Sequence, residues 1–220
     1  MAQKPAKTPQ KTRLEEARAE MYRGLVLETA EHVFAQKGFD DATMQEIAAE
    51  AGISLKTLYA TVSGKNELYD RVVETRGREF LKKTVDALET DPGSGILDAM
   101  AAAVHAYVDF LVAHQNFLLI HLREGRSWGL PGAEGPGAVQ RDQGESIFQG
   151  LVQTGILEGV FYDEDPQTLA RAGMAVMQAH LARVAEGGDA EAVADAVLRS
   201  LLRLLCRPES LEGMEIPGAA

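Results

Sequence analysis

Cysteine is almost absent from these 220 residues: Cys206 stands alone, which excludes an intrachain disulfide framework and suits a reducing cytoplasm. The eight prolines fall mostly outside the periodic stretches. With Ala, Leu, Glu and Arg frequent, that favours helices throughout. The N-terminus holds no apolar run, so no signal peptide is expected. Uninterrupted apolar stretches fall short of the about 20 residues that span a bilayer, and no membrane partner is expected. No internal repeat is visible, and the length allows one large domain or two small ones.

Lysine is missing from everything after Lys83. Residues 1–83 carry 14 Lys+Arg against 13 Asp+Glu, a net of +1, while the remainder carries 8 against 20, a net of −12. The overall charge of −11 argues against indiscriminate nucleic-acid binding. Phosphate contacts need local positive charge, and only the first part supplies it. The charge pattern is that of a DNA-tolerant head on an acidic body.

The residues that are present centre on a stretch from Thr43 to Leu68. Thr43 and Glu46 have capping-box spacing, and Ile47, Ala48 and Ala51 form a narrow apolar stripe of helical period. Gly52 suits the left-handed residue that ends a helix, and Ile53 can plug the space between two helices. Ser54 caps the next helix, in which Leu58 and Val62 share a face. This is the plan of a DNA-reading helix-turn-helix.

Around that stretch the organisation is simple. Residues 1–14 hold Lys4, Lys7, Lys11 and Arg13 and no acid, and read as a disordered basic arm. It either lies along DNA or is a solubilising tail. A long helix is expected over residues 15–37, ended by Gly38, and another over 65–88, turning highly charged through Arg76, Arg78, Lys82 and Lys83. The head is expected to cover residues 15–83 and the body residues 84–208, with a turn near Asp91-Pro92 and a flexible tail over 209–220. Gly and Pro make residues 125–137 a loop between body helices. Asp165-Pro166 opens a helix to about residue 186, and Asp189 caps the last one. On these two helices Gly173, Val176 and His180 form one stripe, and Val193, Val197, Leu201 and Leu204 another. Two such stripes suit either burial within one subunit or a homodimer interface, and a palindrome reader needs two heads.

The Ala51-Gly52 turn, Thr57-Leu58-Tyr59 and Lys65-x-x-Leu68, at these spacings, resemble the N-terminal domain of tetracycline-repressor-type (TetR family) transcriptional regulators over roughly residues 20–80. The resemblance implies an all-α fold: a three-helix DNA-binding head joined to a helical bundle for ligand binding and dimerisation, with about nine helices in all. It implies that Thr43 offers its hydroxyl to a phosphate, and that Leu55, Lys56, Thr57 and Tyr59 face the major groove, with Ser54 at the helix start also among the DNA-binding residues. Thr61 would reach a phosphate, and Lys65 would neutralise another. Position 61 often holds Tyr or His in the family and position 62 Phe or Val; here they are Thr61 and Val62, and Ala60 offers no polar group. Base preference is therefore not legible.

The body carries weaker signals. Family layout suggests that His105, His114, Phe117, His121, Trp128, Phe148, Met174 and Met177, with Tyr107, enclose an effector pocket. Residue by residue, core packing is the more common use of such side chains. His105 and Asp109 share a helical face, but two ligands do not make a metal site, and neither HExxH nor a Cys-rich pattern completes one. Neither metal nor cofactor is expected. No strand-turn-helix presents a nucleophile, residues 125–137 lack a P-loop lysine, and Cys206 reads as a buried thiol. The sequence points to a cytoplasmic homodimer that binds a double-stranded operator, a repressor released by a small-molecule effector and not an enzyme. The alternatives are a ligand-binding dimeric sensor or scaffold without operator binding, or a helical enzyme.

Overall fold

The computed structural model describes residues 9–89, 95–123 and 138–212. Among these there are nine α-helices and one 3-10 turn, so the all-α expectation holds. By internal contacts the chain divides into two compact units, residues 1–72 and 73–220. The division falls inside α4 and not at residue 83. Leu68, Tyr69 and Val72 in the first turns of α4 are buried with the first unit, whereas Phe80 further along the helix packs against the core of the second.

In the first unit, α1 (Pro9–Asp41) begins earlier than the sequence suggested, so residues 9–14 are helical and not part of an arm. Proline at a helix start needs no amide partner and already has the right φ, which explains the earlier entry. The remaining expected arm, residues 1–8, lies outside the described residues. Gly38, at φ 82°, kinks the end of α1. Val26, Ala30, Val33 and Phe34 line its buried side, as their helical spacing requires.

α2 (Met44–Glu50) and α3 (Leu55–Tyr59) follow. The turn between them is a Schellman arrangement. Gly52 takes φ 65°; its amide donates to the Ala49 carbonyl, and the Ile53 amide donates to that of Ala48 at 3.0 Å. Ile47 and Leu58, both 0% exposed, are the plugs that tie the two helices to the core. α4 (Lys65–Glu89) then begins.

The second unit holds the rest of α4, α5 (Ile96–Ala113), α6 (Gln115–Arg123), α7 (Ala138–Leu157), α8 (Pro166–Ala185) and α9 (Ala190–Leu205). By length and composition alone α5 could cross a membrane. Its apolar side chains are spent elsewhere: Met100, Val104, Val108 and Leu111 are buried in the unit's own core. Asp165 caps α8 through the Thr168 amide and Asp189 caps α9 through that of Ala192. After α9 an isolated antiparallel bridge joins Phe161 to Cys206, and Pro208–Leu211 form a 3-10 turn, so the start of the expected flexible tail is structured; its residues 213–220 lie outside the described residues. Burial pushes the Cys206 thiol up to about 11, so it stays protonated at neutral pH.

Phe161 locks this corner because Gly155 leaves room for it. A Cβ on Gly155 would lie 2.2 Å from the Phe161 ring. Gly155→Ala should lower stability by about 1–3 kcal/mol through overpacking. Urea unfolding followed by circular dichroism checks this, and an unchanged midpoint would contradict the packing.

Candidate functional site

The exposed side of the α2–α3 pair is built by local hydrogen bonds. Thr43 Oγ1 accepts from the Glu46 amide at 3.2 Å, and the Thr43 amide donates to Glu46 Oε2 at 3.1 Å. The Thr43 hydroxyl also donates to that carboxylate at 2.9 Å. It is therefore held in the capping box and not held out to a phosphate, as the sequence suggested. Lys37 forms an ion pair with Glu46. The hydrogen bonds from Lys37 and then Thr43 hold the Glu46 carboxyl below its ordinary 4.5.

α3 repeats the device. Ser54 Oγ accepts from the Thr57 amide at 3.1 Å and shares a 2.8 Å hydrogen bond with the Thr57 hydroxyl. Ser54 therefore serves as cap, and the Thr57 methyl remains for outside contact. Leu58 points inward. On the opposite side stand Lys56 and Tyr59, three residues apart on one face, with Tyr59 49% exposed. Leu55 and Thr57 are half-buried at its margin. Thr61 donates its hydroxyl to the Leu58 carbonyl at 2.7 Å and closes the helix end.

Lys65 has a different role from the one expected. Its Nζ donates to the carbonyls of Phe39, Asp40 and Ala42 at 2.7, 3.0 and 3.0 Å, and sits 4.6 Å from the centre of the Phe39 ring. An ammonium has three hydrogens, and all three find acceptors within the fold. The cation thus closes the carbonyl end of α1 instead of meeting a phosphate. No spacing rule could reveal this, because the acceptors are backbone atoms brought close by the kink at Gly38.

In the second unit a cavity of about 60 Å³ opens between α4, α5, α7 and α8. Phe148, Met174 and Met177 line it, as expected, and so does Tyr107. Four expected residues belong elsewhere. His114 ends α5 and lies 4.4 Å from the Phe110 ring, and Phe117 and His121 pair with each other at 6.4 Å. His105 is on α5, but one step round the helix from Val104, and that rotation of about 100° takes it off the cavity wall. Burial, then Arg76 and Lys83, lower the His114 pKa against the pull of Glu79. Trp128 lies outside the described residues. The sequence reading missed the α4 side of the wall: Phe80, Leu81 and Thr84. Their spacing within a charged stretch was the available signal.

The expected dimer stripes also divide. Val193, Val197 and Leu201 are fully buried within their own unit. A Cβ on Gly173 would meet Phe148 at 2.6 Å and Leu201 at 3.2 Å, so this glycine admits neighbours from the same chain. Val176, His180 and Leu204 are only half-buried. His180 Nε2 and Ser200 Oγ join α8 to α9 at 3.0 Å, and burial, then Arg183 and Arg199, lower the His180 pKa.

Comparison with known proteins gives a consistent picture. A family profile described as "Bacterial regulatory proteins, tetR family" matches residues 26–72. One described as "Tetracyclin repressor-like, C-terminal domain" matches residues 93–205. The chain is 27% identical, over 83% of its length and 94% of the relative's, to the HTH-type transcriptional repressor SCO4008 of Streptomyces coelicolor. It is 36% identical, over 40% of each chain, to the HTH-type transcriptional activator FasR of Mycolicibacterium smegmatis. Among solved structures, a TetR-like transcriptional regulator from Rhodococcus sp. RHA1 superposes with a TM-score of 0.68 at 25% identity, covering 88% of this chain and 97% of that one. The ketosteroid transcriptional regulator KstR2 of Mycobacterium tuberculosis shares the fold with a TM-score of 0.69 at 21% identity, over 84% and 95%.

Lys65→Met should cost about 1–3 kcal/mol, because three carbonyls lose their donor; thermal unfolding of the full chain measures it, and no loss would contradict the capping role. Glu46 sets a pH dependence. Its folded pKa lies below 4.5, so its contribution is complete above that value and disappears as pH falls through the folded value. Glu46→Gln should flatten the acid limb of melting temperature against pH, and an unchanged limb would contradict the pairing.

Proposed function

The chain belongs to the tetR family of bacterial regulatory proteins and is a DNA-binding transcriptional regulator, and from that premise we propose a cytoplasmic, homodimeric repressor released from its operator by a small molecule. The observation that carries the reading is α3: a capped helix anchored by Leu58 with Lys56 and Tyr59 on its open face. A helix of this kind enters a major groove with base-edge contacts near its start. Lys56 donates to guanine O6 and N7 or to phosphate, the Thr57 methyl meets a thymine methyl, and Tyr59 reaches the backbone. With Lys65 spent inside the fold, Lys56 is the main cation of this face.

Two such helices about 34–36 Å apart would read a pseudo-palindrome. Val176, His180 and Leu204, half-buried on α8 and α9, support pairing of two copies there. The cavity supports a small-molecule effector that binds two states of the body unequally and so shifts operator affinity. α4, which contributes to both units, is the natural carrier of that shift. The repressor sense follows the SCO4008 relative, which is matched over most of its length. Binding and release account for the site without an enzymatic step.

Fluorescence anisotropy with labelled DNA from the chain's own upstream region tests the reading. Thr57→Ala with Tyr59→Ala should reduce specific affinity to the non-specific level, a loss of about 1,000-fold or more, while the oligomer stays folded. The Thr57 amide remains to hold the Ser54 cap. Lys65→Met should leave the slope of affinity against salt unchanged, whereas removal of a phosphate contact lowers it by about 1. Unchanged specific binding in the double variant would overturn the assignment.

A further inference from the structure

The cavity in the second unit has a wet neighbour. A groove of about 650 Å³ between α4 and α7 shares Leu81 and Ile147 with the cavity wall, so these two side chains stand between them. The two compartments differ in chemistry. The cavity is walled by Val104, Leu151, Met174 and other apolar groups, and its polar members are Thr84 and Tyr107. The Thr84 hydroxyl already donates to the Phe80 carbonyl at 3.1 Å. Among the described residues that line this space, a charge taken into it would find no counter-ion. Among the described residues the groove carries Lys82, Asp86 and Asp142, one positive and two negative groups, and Lys82 is bridged to Asp86 at 2.6 Å.

Size separates ligand shapes. At about 60 Å³ the cavity is smaller than the roughly 150 Å³ that holds a benzene ring in an apolar protein interior. A fused-ring system would have to displace its walls. A linear alkyl chain is narrower in cross-section than a ring, so its terminal segment can enter the space before the rest of the tail. Met174 and Met177 line the cavity and adapt their shape to it.

Resting on the effector reading above, we infer that the ligand is a single-chain amphiphile. Its alkyl tail passes Leu81 and Ile147 into the cavity, and its uncharged or cationic head stays in the groove beside Asp142. A carboxylate head is disfavoured, since it would meet two acids and a lysine already paired.

The test displaces the uncharged, linear fluorophore parinaryl alcohol from the purified full chain at low ionic strength. The competitors are decanol, decyltrimethylammonium and decanoate, each below its micelle concentration, and progesterone. The first two should displace the dye, decanoate should be about ten-fold weaker, and progesterone should fail. Ala103→Phe, which fills the cavity, should weaken decanol by about ten-fold or more. Asp142→Lys, on the exposed groove, should reverse the order of decanoate and decyltrimethylammonium and leave decanol within about two-fold. This variant keeps the inference falsifiable if Ala103→Phe does not fold. Decanoate binding as tightly as the cation, an order unmoved by Asp142→Lys, or progesterone as the best competitor would each overturn it. Operator anisotropy with the same compounds separates the two claims. Alkyl ligands that bind and leave operator affinity unchanged overturn the effector reading alone. Operator release by a compound that leaves the dye in place overturns the amphiphile inference and spares the regulator.

Discussion

The ammonium of Lys65 holds the end of α1 to the start of α4 by donating to the carbonyls of Phe39, Asp40 and Ala42. Everything between those points, including the whole α2–α3 pair, is a loop closed by this contact. Gly38 supplies the backbone turn that presents the carbonyls, and Phe39 packs its ring against Tyr69 at 4.9 Å, while Tyr69 also stands edge-on to Phe34. Polar and aromatic contacts thus fix the same junction. A reading helix has value only if its angle is fixed, and a five-residue α3 cannot fix its own angle. Leu58, Val62 and this junction do it.

The second unit solves a different problem: it must be well packed and still keep a space. Gly173 lets the Phe148 ring lie across α8 with its edge on the cavity. α5, α6 and α7 pack against α8 and α9 and cover apolar surface that would be free in an isolated hairpin. What remains is a half-buried strip around the His180–Ser200 hydrogen bond. A narrower strip with polar members is a more selective surface for a second copy than a wide apolar one.

Local chemistry was legible in the sequence, and long-range geometry was not. The Thr43–Glu46 box, the Gly52 turn and the Ser54, Asp165 and Asp189 caps rest on contacts within a few residues, so spacing alone reveals them. The cavity draws on four helices. Which residues of α5 face it depends on the rotation of that helix, so Tyr107 was found and His105 misplaced. For Val193, Val197 and Leu201, periodicity shows that a stripe is buried but not by which chain. Lys65 failed for a related reason: a basic residue beside a reading head suggests phosphate, yet backbone carbonyls reached it first. In each failure a correct residue type met an unforeseen partner.

The central claim is that α3 reads DNA in pairs. Selection of bound sequences from random duplexes by the full chain, at moderate salt, tests it most directly. The account predicts an enriched inverted repeat whose half-sites lie about one helical turn, or a multiple of it, apart. Enrichment of no motif, or of one with no twofold symmetry, would contradict it.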